Sequence, residues 1–196
     1  MEFRICWKKQ SRRRQAGFSL LEAVVVVAVA LVLLAVATPN LVRSWKTYKL
    51  STQASLIANQ MDIARFTAVR RDRTITLGYV VVGGTSIIYV DANNSGGLDR
   101  TDPQVQLPTD MQIANGGFPG TATMGAAYAA PVLMIAGSTI QINSRGTLQA
   151  AGLVPYMFVV SYPNQPDYGF RAITISPMGE IRVWQAANNG AWKASS

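Results

Sequence analysis

The chain opens with a basic segment and then changes abruptly to a continuous apolar run. Residues 18–38 carry one charge, that of Glu22, and their apolar side chains fall on every face of a helix. At about 1.5 Å per residue this helix would cover roughly 30 Å, the thickness of the hydrocarbon core of a bilayer. A buried core helix is the alternative, but such helices are usually shorter or keep a polar stripe. The pattern therefore predicts a membrane-spanning helix over residues 18–38.

Basic residues flank both ends of this span. Lys8, Lys9, Arg12, Arg13 and Arg14 precede it, and Arg43, Lys46 and Lys49 follow it. Since positive charge is enriched on the cytoplasmic side of membrane helices, the leader is expected in the cytoplasm and the rest of the chain in the periplasm.

Beyond Pro39 the apolar pattern becomes periodic. Leu50, Ala54, Ile57, Met61, Ala64 and Ala68 recur at intervals of three and four residues. This spacing indicates one face of a helix that packs on a domain. The helix would run from Phe18 to about Arg71, with a kink or loosened turn at Pro39, because proline removes a backbone donor. Arg65, Arg70, Arg71 and Arg73 cluster at its end, either as a solvated helix terminus or as a patch for polyanions.

After Arg73 the apolar period becomes two. Residues 74–82 and 86–90, joined by Gly83 and Gly84, predict a β-hairpin. Further strands are expected at residues 105–107, 111–114, 132–135, 139–143, 156–162, 170–176 and 180–185. Their regular spacing predicts an antiparallel β domain. Residues 116–130 are expected to form a long surface loop, and residues 190–196 a frayed terminus.

Composition removes several function classes. The formal net charge is +8, but most of the excess lies in the leader, so a strongly cationic nucleic-acid protein is not implied. The one cysteine, Cys6, also lies in the leader, and the chain has no histidine. Histidine-based triads and histidine-ligated zinc are excluded, and no compact acid-base or nucleophilic set appears, so an enzyme is not expected.

Glu22 is the one carboxylate in the predicted span. An ionised carboxylate at mid-bilayer costs on the order of 2.5 to 3.5 kcal/mol, so a residue of this kind calls for a partner. If the chain is cut after Gly17, Phe18 gains a free α-amino group that could neutralise Glu22 on a neighbouring subunit. Alternatively, Glu22 lies near enough to the membrane surface to stay hydrated.

The arginine-rich leader, Gly17, the segment Phe18-Ser19-Leu20-Leu21-Glu22, the apolar helix and Pro39 together resemble the signal of type IV pilins and type II secretion pseudopilins. The resemblance implies that a prepilin peptidase cuts after Gly17 and methylates the amino group of Phe18. It also implies that Glu22 sets subunit registration during assembly. The organisation would then be a cleaved leader (1–17), a membrane and filament-core helix (18–38), an amphipathic helical half (39–73) and a periplasmic β domain (74–196).

Further motifs narrow the resemblance. The segments that carry it are similar to the GspH/FimT family of minor pilins and pseudopilins: Ala64-Arg65 and Val69-Arg70 near the end of the helix, the strand from Thr74 to Val82, the acidic loop after Val90, Ile142-Asn143-Ser144-Arg145-Gly146 and the segment from Ile173 to Val183. The resemblance implies a type IV pilin-like α+β fold and a low-abundance subunit, often at the tip of a pilus or pseudopilus, where it primes assembly. Implied partners are major and minor pilins or pseudopilins, the peptidase and the inner-membrane assembly platform.

The loop from Asp91 to Asp102 has the spacing of a calcium-binding loop. Asp91, Asn93, Ser95 and Asp99 place oxygen atoms at alternate positions, with Gly97 offering a backbone carbonyl and Asp102 in place of the usual glutamate. No flanking helices are evident, since a strand precedes the loop. Calcium is one interpretation, and a solvated connection between strands is the other; no other cofactor is expected.

Four residues near the end of the chain suggest a second function. Arg182, Trp184, Trp192 and Lys193 combine cations with stacking surfaces, and the resemblance implies that some family members bind DNA during natural transformation. Too few charges are present for strong phosphate neutralisation, and Trp184 in a strand is more often a core residue. DNA binding is therefore an alternative that is not favoured over a structural role.

Overall fold

The computed structural model describes residues 19–149 and 154–195. The chain divides into two compact units, residues 1–42 and residues 43–196. One helix, α1 (Leu20–Arg70), contributes to both. Pro39 lies inside α1 without interrupting it, so the loosened turn expected there does not end the helix.

In the first unit, α1 buries none of its side chains. All residues from Ser19 to Val42 are exposed, as expected for a helix whose apolar surface faces lipid or other helices rather than its own domain. In the described residues, α1 is the one helix long and apolar enough to cross a membrane.

The second unit contains ten short strands. These are β1 (Ile75–Val82), β2 (Thr85–Asp91), β3 (Gln104–Gln106), β4 (Gln112–Ile113), β5 (Val132–Leu133), β6 (Thr139–Ile142), β7 (Tyr156–Ser161), β8 (Phe170–Ile175), β9 (Ile181–Ala186) and β10 (Lys193–Ala194). They form a four-stranded sheet in the order β3-β2-β1-β6 and a six-stranded sheet in the order β10-β9-β8-β7-β4, with β5 also paired to β7. Every named pair is antiparallel except β5 with β7, which is parallel and was not expected.

The hairpin of β1 and β2 forms as the sequence predicts. Val82 pairs with Thr85, and the two residues between them, Gly83 and Gly84, have φ of 58° and 81°. Positive φ at both central positions defines the tight turn that suits the twist of a hairpin, and glycine adopts it without a steric cost.

The predicted helix face lies in the main core. Leu50, Ala54, Ile57, Met61, Ala64 and Ala68 are each 0% exposed. They pack with residues of both sheets, such as Leu77 of the first sheet and Phe158 and Ile173 of the second. Three of these six residues are alanines, whose small side chains let the helix approach the sheets closely.

A second core covers the other face of the six-stranded sheet. It contains Met157 and Val159 of β7, Phe170 and Ala172 of β8, and Trp184 and Ala186 of β9, together with Ala114, Met124, Tyr128 and Trp192. The six-stranded sheet is therefore buried on both faces, since alternate residues of β7, β8 and β9 enter different cores.

Two sequence-based expectations are wrong in this region. Residues 116–130 are not simply a surface loop: 3₁₀ turns at Thr121–Met124 and Ala126–Tyr128 bury Met124 and Tyr128. Residues 190–196 are not simply frayed, because Trp192 is buried and residues 193–194 form β10. The fold class is confirmed: a long N-terminal helix packs on antiparallel sheets in an α+β arrangement.

Candidate functional site

The predicted processing site lies at the edge of the described structure. Gly17 and Phe18 fall outside the described residues. Ser19 directly precedes α1, and its Oγ accepts the backbone N–H of Glu22 at 3.1 Å. Ser19 therefore caps the helix, and the spacing Ser-x-x-Glu is the capping-box pattern, a signal that the sequence analysis missed.

Glu22 lies in the first turn of α1. The unpaired N–H groups at a helix N-terminus carry partial positive charge, which favours a carboxylate there. The position of Glu22 thus has a local explanation in helix initiation, and its exposed side chain is free to accept a further donor.

An outward face continues along α1 within the second unit. Large apolar and aromatic side chains recur on it at helical spacing, at Trp45, Tyr48, Leu56, Ile63 and Phe66. At 100° per residue they lie opposite the buried face that begins with Leu50. Trp45 is 60% exposed, Tyr48 65%, Leu56 41% and Phe66 70%. We call these five residues the outward stripe.

Large side chains in such a row are unusual on the surface of a monomer. Scattered exposed apolar residues are normal, but several large ones aligned on one helix face mark an interaction surface, although the exposed Thr52 and Asn59 lie between them here. The outward stripe is therefore the best candidate for contact with another helix.

Three of the motifs that suggested the GspH/FimT resemblance meet at one point in the second unit. A Cβ placed on Gly146 would lie 3.1 Å from Cγ of Arg65, and one placed on Gly179 would lie 2.2 Å from the carbonyl oxygen of Gly146. Gly146 and Gly179 have φ of 75° and 82°. A Cβ at Gly179 would collide with backbone, whereas one at Gly146 would press on the Arg65 side chain, so the helix residue and the two turns are closely packed and these motifs have a structural role.

The acidic loop uses its carboxylates to hold itself in shape. Asp91 accepts the backbone N–H groups of Ser95 and Gly96 at 2.9 and 2.8 Å, one on each carboxylate oxygen. Asp102 accepts those of Ala92 and Asp99 at 3.2 and 3.1 Å. Both aspartates are buried, at 3% and 5% exposure.

The other predicted calcium ligands are also engaged within the loop. Asn93 donates to the carboxylate of Asp99 and accepts the N–H of Ser95, whose hydroxyl donates to the carbonyl of Gly97 at 3.1 Å. Across residues 19–149 and 154–195, no three acidic, histidine or cysteine side chains are grouped as a metal site. The side chains of this connection between β2 and β3 are thus bonded to groups within the loop, and calcium binding there stays a prediction.

Hydrogen bonds control the ionisation of Asp99. Its Oδ1 accepts both the hydroxyl of Thr101, at 2.6 Å, and the backbone N–H of Thr101, at 2.7 Å. These bonds, first that from the hydroxyl and then that from Asn93, lower the pKa of Asp99 to about 2.

The predicted nucleic-acid residues do not form a stacking surface. Trp184 and Trp192 are 5% and 3% exposed, and their indole N–H groups donate to Thr174 Oγ1 at 2.9 Å and to the Pro119 carbonyl at 3.0 Å. Arg182 is exposed but pairs with Glu180 at 2.7 Å. Lys193 is exposed on β10. The interpretation of the tryptophans as stacking residues is therefore corrected: they are core residues of the six-stranded sheet.

The arginine cluster at the end of α1 is partly engaged as well. Arg71 and Arg73 both donate to the carbonyl of Ala92, and the side chain of Arg65 packs against the Gly146 turn. These contacts tie the helix terminus to the acidic loop and to the turn after β6. They support the interpretation as a helix end over that of a polyanion patch.

Comparison with known proteins identifies the N-terminal segment. Residues 12–38 match the family model of the prokaryotic N-terminal methylation motif. This match confirms the predicted prepilin-type signal. No curated protein matches the chain.

Two solved structures are similar to this chain. The type IV minor pilin FimU of Pseudomonas aeruginosa is 16% identical, with a TM-score of 0.48, over 76% of this chain and 94% of that one. The minor pseudopilin EpsH of the Vibrio cholerae type 2 secretion system is 13% identical, with a TM-score of 0.42, over 69% of this chain and 95% of that one.

Proposed function

We propose that this chain is a structural minor pilin or pseudopilin. It is cut after Gly17 by a prepilin peptidase, methylated at Phe18, held in the bacterial inner membrane and then incorporated into a type IV pilus or a type II secretion pseudopilus. The observation that carries this proposal is the match of residues 12–38 to the N-terminal methylation motif. A cut at Gly17, before the apolar helix, leaves that helix in the finished protein.

The exposed surface of α1 supports assembly through helix packing. The apolar side chains of residues 23–42 contact no other part of the described chain closely enough to be buried. In the bilayer, lipid solvates them; in a filament, the helices of neighbouring subunits would replace the lipid at little hydrophobic cost, because both surroundings are apolar. Within the second unit, the outward stripe offers a further surface for packing against a helix.

Glu22 provides a specific contact within this apolar packing. Once the subunit leaves the membrane surface for the helix bundle, an unpaired carboxylate is costly, and the methylated amino group of a neighbour's Phe18 is a suitable partner. Pairing the two groups fixes the axial position of one helix against the next, since a mismatch leaves two buried charges unpaired.

The expected partners follow from this scheme. They are the other major and minor subunits, the prepilin peptidase and the inner-membrane assembly platform. The second unit lies in the periplasm and contacts other minor subunits, and the place of this subunit is at the tip, where it primes assembly.

Processing is tested by substitution of Gly17. Gly17→Val is expected to leave the leader attached, so the variant migrates more slowly in electrophoresis than the wild type. Equal mobility of the two proteins would contradict the scheme.

The role of Glu22 is tested by two substitutions with different expected results. Glu22→Ala is expected to leave cleavage intact but to reduce the amount of subunit in sheared filaments. Ser19→Ala removes the helix cap, which is worth about 1 kcal/mol, but leaves the carboxylate in place. If both variants assemble equally poorly, Glu22 acts only in helix initiation and the pairing with Phe18 is wrong.

Two other ligands remain predictions of lower weight. DNA binding is not favoured, because the aromatic candidates Trp184 and Trp192 are buried. A gel shift of residues 43–196 at low and moderate salt tests it. Calcium binding by the loop of residues 91–102 is tested by isothermal titration, in which no heat at millimolar calcium would remove this alternative.

A further inference from the structure

Trp45 and Tyr48 stand at the start of the second unit with their rings largely in solvent. They are 60% and 65% exposed, and their ring centroids are 6.3 Å apart. Neither ring is used in either core. Two neighbouring aromatic rings, each with a polar atom at one end, are poorly placed in bulk water but well placed where an apolar phase meets an aqueous one.

The charge pattern of α1 defines where that boundary falls. Between Glu22 and Arg43 no residue is charged. Residues 23–42 would cover about 30 Å at 1.5 Å per residue, which equals the hydrocarbon core. This register moves the span toward the C-terminus by several residues from the 18–38 expected from the sequence. It leaves Glu22 and Arg43 at the two membrane surfaces, where neither charge enters the bilayer.

Trp45 then falls in the headgroup layer and Tyr48 at its outer edge. Trp45 and Tyr48 follow Val42 by three and six residues, or roughly 4.5 and 9 Å along the continuous helix α1. The headgroup region on each side of the hydrocarbon core is about 5 to 8 Å thick. Tryptophan and tyrosine are enriched at this depth, where the ring lies against the acyl chains and the N–H or O–H meets water.

The surrounding cations fit an anionic lipid surface. Arg43 donates to the backbone carbonyl of Asp167 at 3.5 Å, and Lys46 donates to the side-chain oxygen of Gln165 at 2.7 Å. Both partners are neutral groups, and the Lys46 ammonium also lies 5.2 and 4.4 Å from the ring centroids of Tyr162 and Tyr168, so neither cation is paired with a carboxylate in these contacts. Lys49 lies 3.9 Å from Asp110, a distance at the limit of an ion pair between exposed groups.

We propose that Trp45 and Tyr48, with Arg43 and Lys46, form an interfacial anchor that seats the unassembled subunit in the periplasmic headgroup layer and sets the depth of the span. This inference rests on the membrane-held state in the proposed function. The two aromatic rings belong to the outward stripe, so the surface that contacts lipid before assembly becomes available to a neighbouring helix afterwards.

The anchor is tested by depth-dependent quenching in vesicles of phosphatidylethanolamine and phosphatidylglycerol. The full chain is reconstituted with lipids brominated either near the headgroup or near the end of the acyl chain. The signal of Trp45 is the difference between wild type and Trp45→Phe, because the other tryptophans are common to both proteins. We expect this signal to be quenched about twofold or more strongly by the shallow bromines than by the deep ones.

A matched control moves the indole along the same stripe. Phe66 is 70% exposed and lies 21 residues beyond Trp45, about 32 Å along the helix. In the double variant Trp45→Phe, Phe66→Trp, the new indole is expected to be quenched by neither lipid. A Trp45 signal that matches this control, or that is quenched more by the deep bromines, overturns the anchor.

A third probe separates failure of the anchor from failure of the span. A dye on Ala30→Cys, in a chain whose Cys6 is replaced by serine, reports the middle of residues 23–42. Quenching of this dye by deep bromines with no shallow quenching of Trp45 overturns the anchor alone. Absence of quenching at both positions overturns the membrane-held state, and with it the anchor and the proposed function.

Discussion

Gly146 and Gly179 are far apart in the sequence but pack against each other in the fold. Gly179 has φ of 82°, and a Cβ at this position would lie 2.2 Å from the carbonyl oxygen of Gly146. Backbone cannot move aside as a flexible side chain can. The glycine is needed for two reasons, its left-handed conformation and the absence of a side chain.

Gly179→Ala is expected to destabilise the second unit by more than the usual cost of a left-handed non-glycine residue. That cost alone is about 1 to 3 kcal/mol. The clash with Gly146 adds to it. Urea unfolding of residues 43–196 measures the loss.

Gly84→Ala is the matched control for this prediction. Gly84 has nearly the same φ, 81°, but a Cβ placed there meets nothing within 4 Å. The difference between the two variants isolates the effect of close packing. If both lose the same free energy of unfolding, the contact between the two turns is not tight.

Asp99 makes the acidic loop sensitive to low pH. Its pKa is lowered to about 2 because Thr101 and Asn93 donate to the charged form. The ordinary value is about 4, so the bonds contribute stability that is fully present above pH 4 and is lost as the pH falls through about 2. We expect the Asp99 carboxyl carbon, followed by NMR, to titrate well below the other exposed carboxylates.

Thr101→Val tests the cause of this shift. The substitution removes the hydroxyl donor and keeps the shape of the side chain, so the pKa of Asp99 should rise toward its ordinary range. An unchanged titration of Asp99 in the variant would show that Thr101 is not the cause.

Most strands could be predicted from the sequence because their signals are local. Alternating apolar residues and turn residues such as Gly83-Gly84 define β1, β2 and the strands from β6 to β9. Strand β10 and the 3₁₀ turns around Met124 and Tyr128 could not, since each turn buries one side chain and β10 is exposed after the single buried Trp192, so none of them shows a period. Their burial depends on contacts with the far side of the six-stranded sheet, which no local pattern reveals.

Trp192→Ala should show that the end of the chain is part of the core. The side chain is 3% exposed, and its indole donates to the Pro119 carbonyl. Removing a buried tryptophan typically costs about 3 to 5 kcal/mol of unfolding free energy. Lys193→Ala, on the adjacent exposed residue, should change stability by less than about 0.5 kcal/mol. Equal losses of unfolding free energy in the two variants would show that residues 190–195 are a frayed terminus.

At the scale of the whole molecule, the candidate site was only partly predictable. Gly17, Phe18 and Glu22 are recognisable because their motif occupies consecutive residues. The meeting of Arg65, Gly146 and Gly179 was not, since it brings together one helix and two turns that are distant in sequence. The residues of the outward stripe are visible in the sequence at helical spacing. The buried face of the same helix has the stronger apolar pattern, however, and only the exposed fractions in the structure distinguish the two faces.

The outward stripe leads to a prediction that separates assembly from folding. Phe66 is 70% exposed, so Phe66→Glu should change the unfolding free energy of residues 43–196 by less than about 0.5 kcal/mol. The new carboxylate would lie four residues before Arg70, which attracts it, and four residues after Asp62, which repels it. These two effects offset each other. In a filament, however, the new carboxylate would be buried against a neighbouring helix without a partner, at a cost of several kcal/mol.

We therefore expect Phe66→Glu to fold normally and to be processed normally, yet to fall about tenfold or more in sheared filaments, since 1.4 kcal/mol already corresponds to a factor of ten. Phe66→Leu keeps an apolar side chain and should assemble as the wild type does. Normal incorporation of the glutamate variant would show that the stripe faces solvent in the filament. The helix packing would then be confined to the residues before Arg43, and the second unit would take part in assembly through its sheets alone.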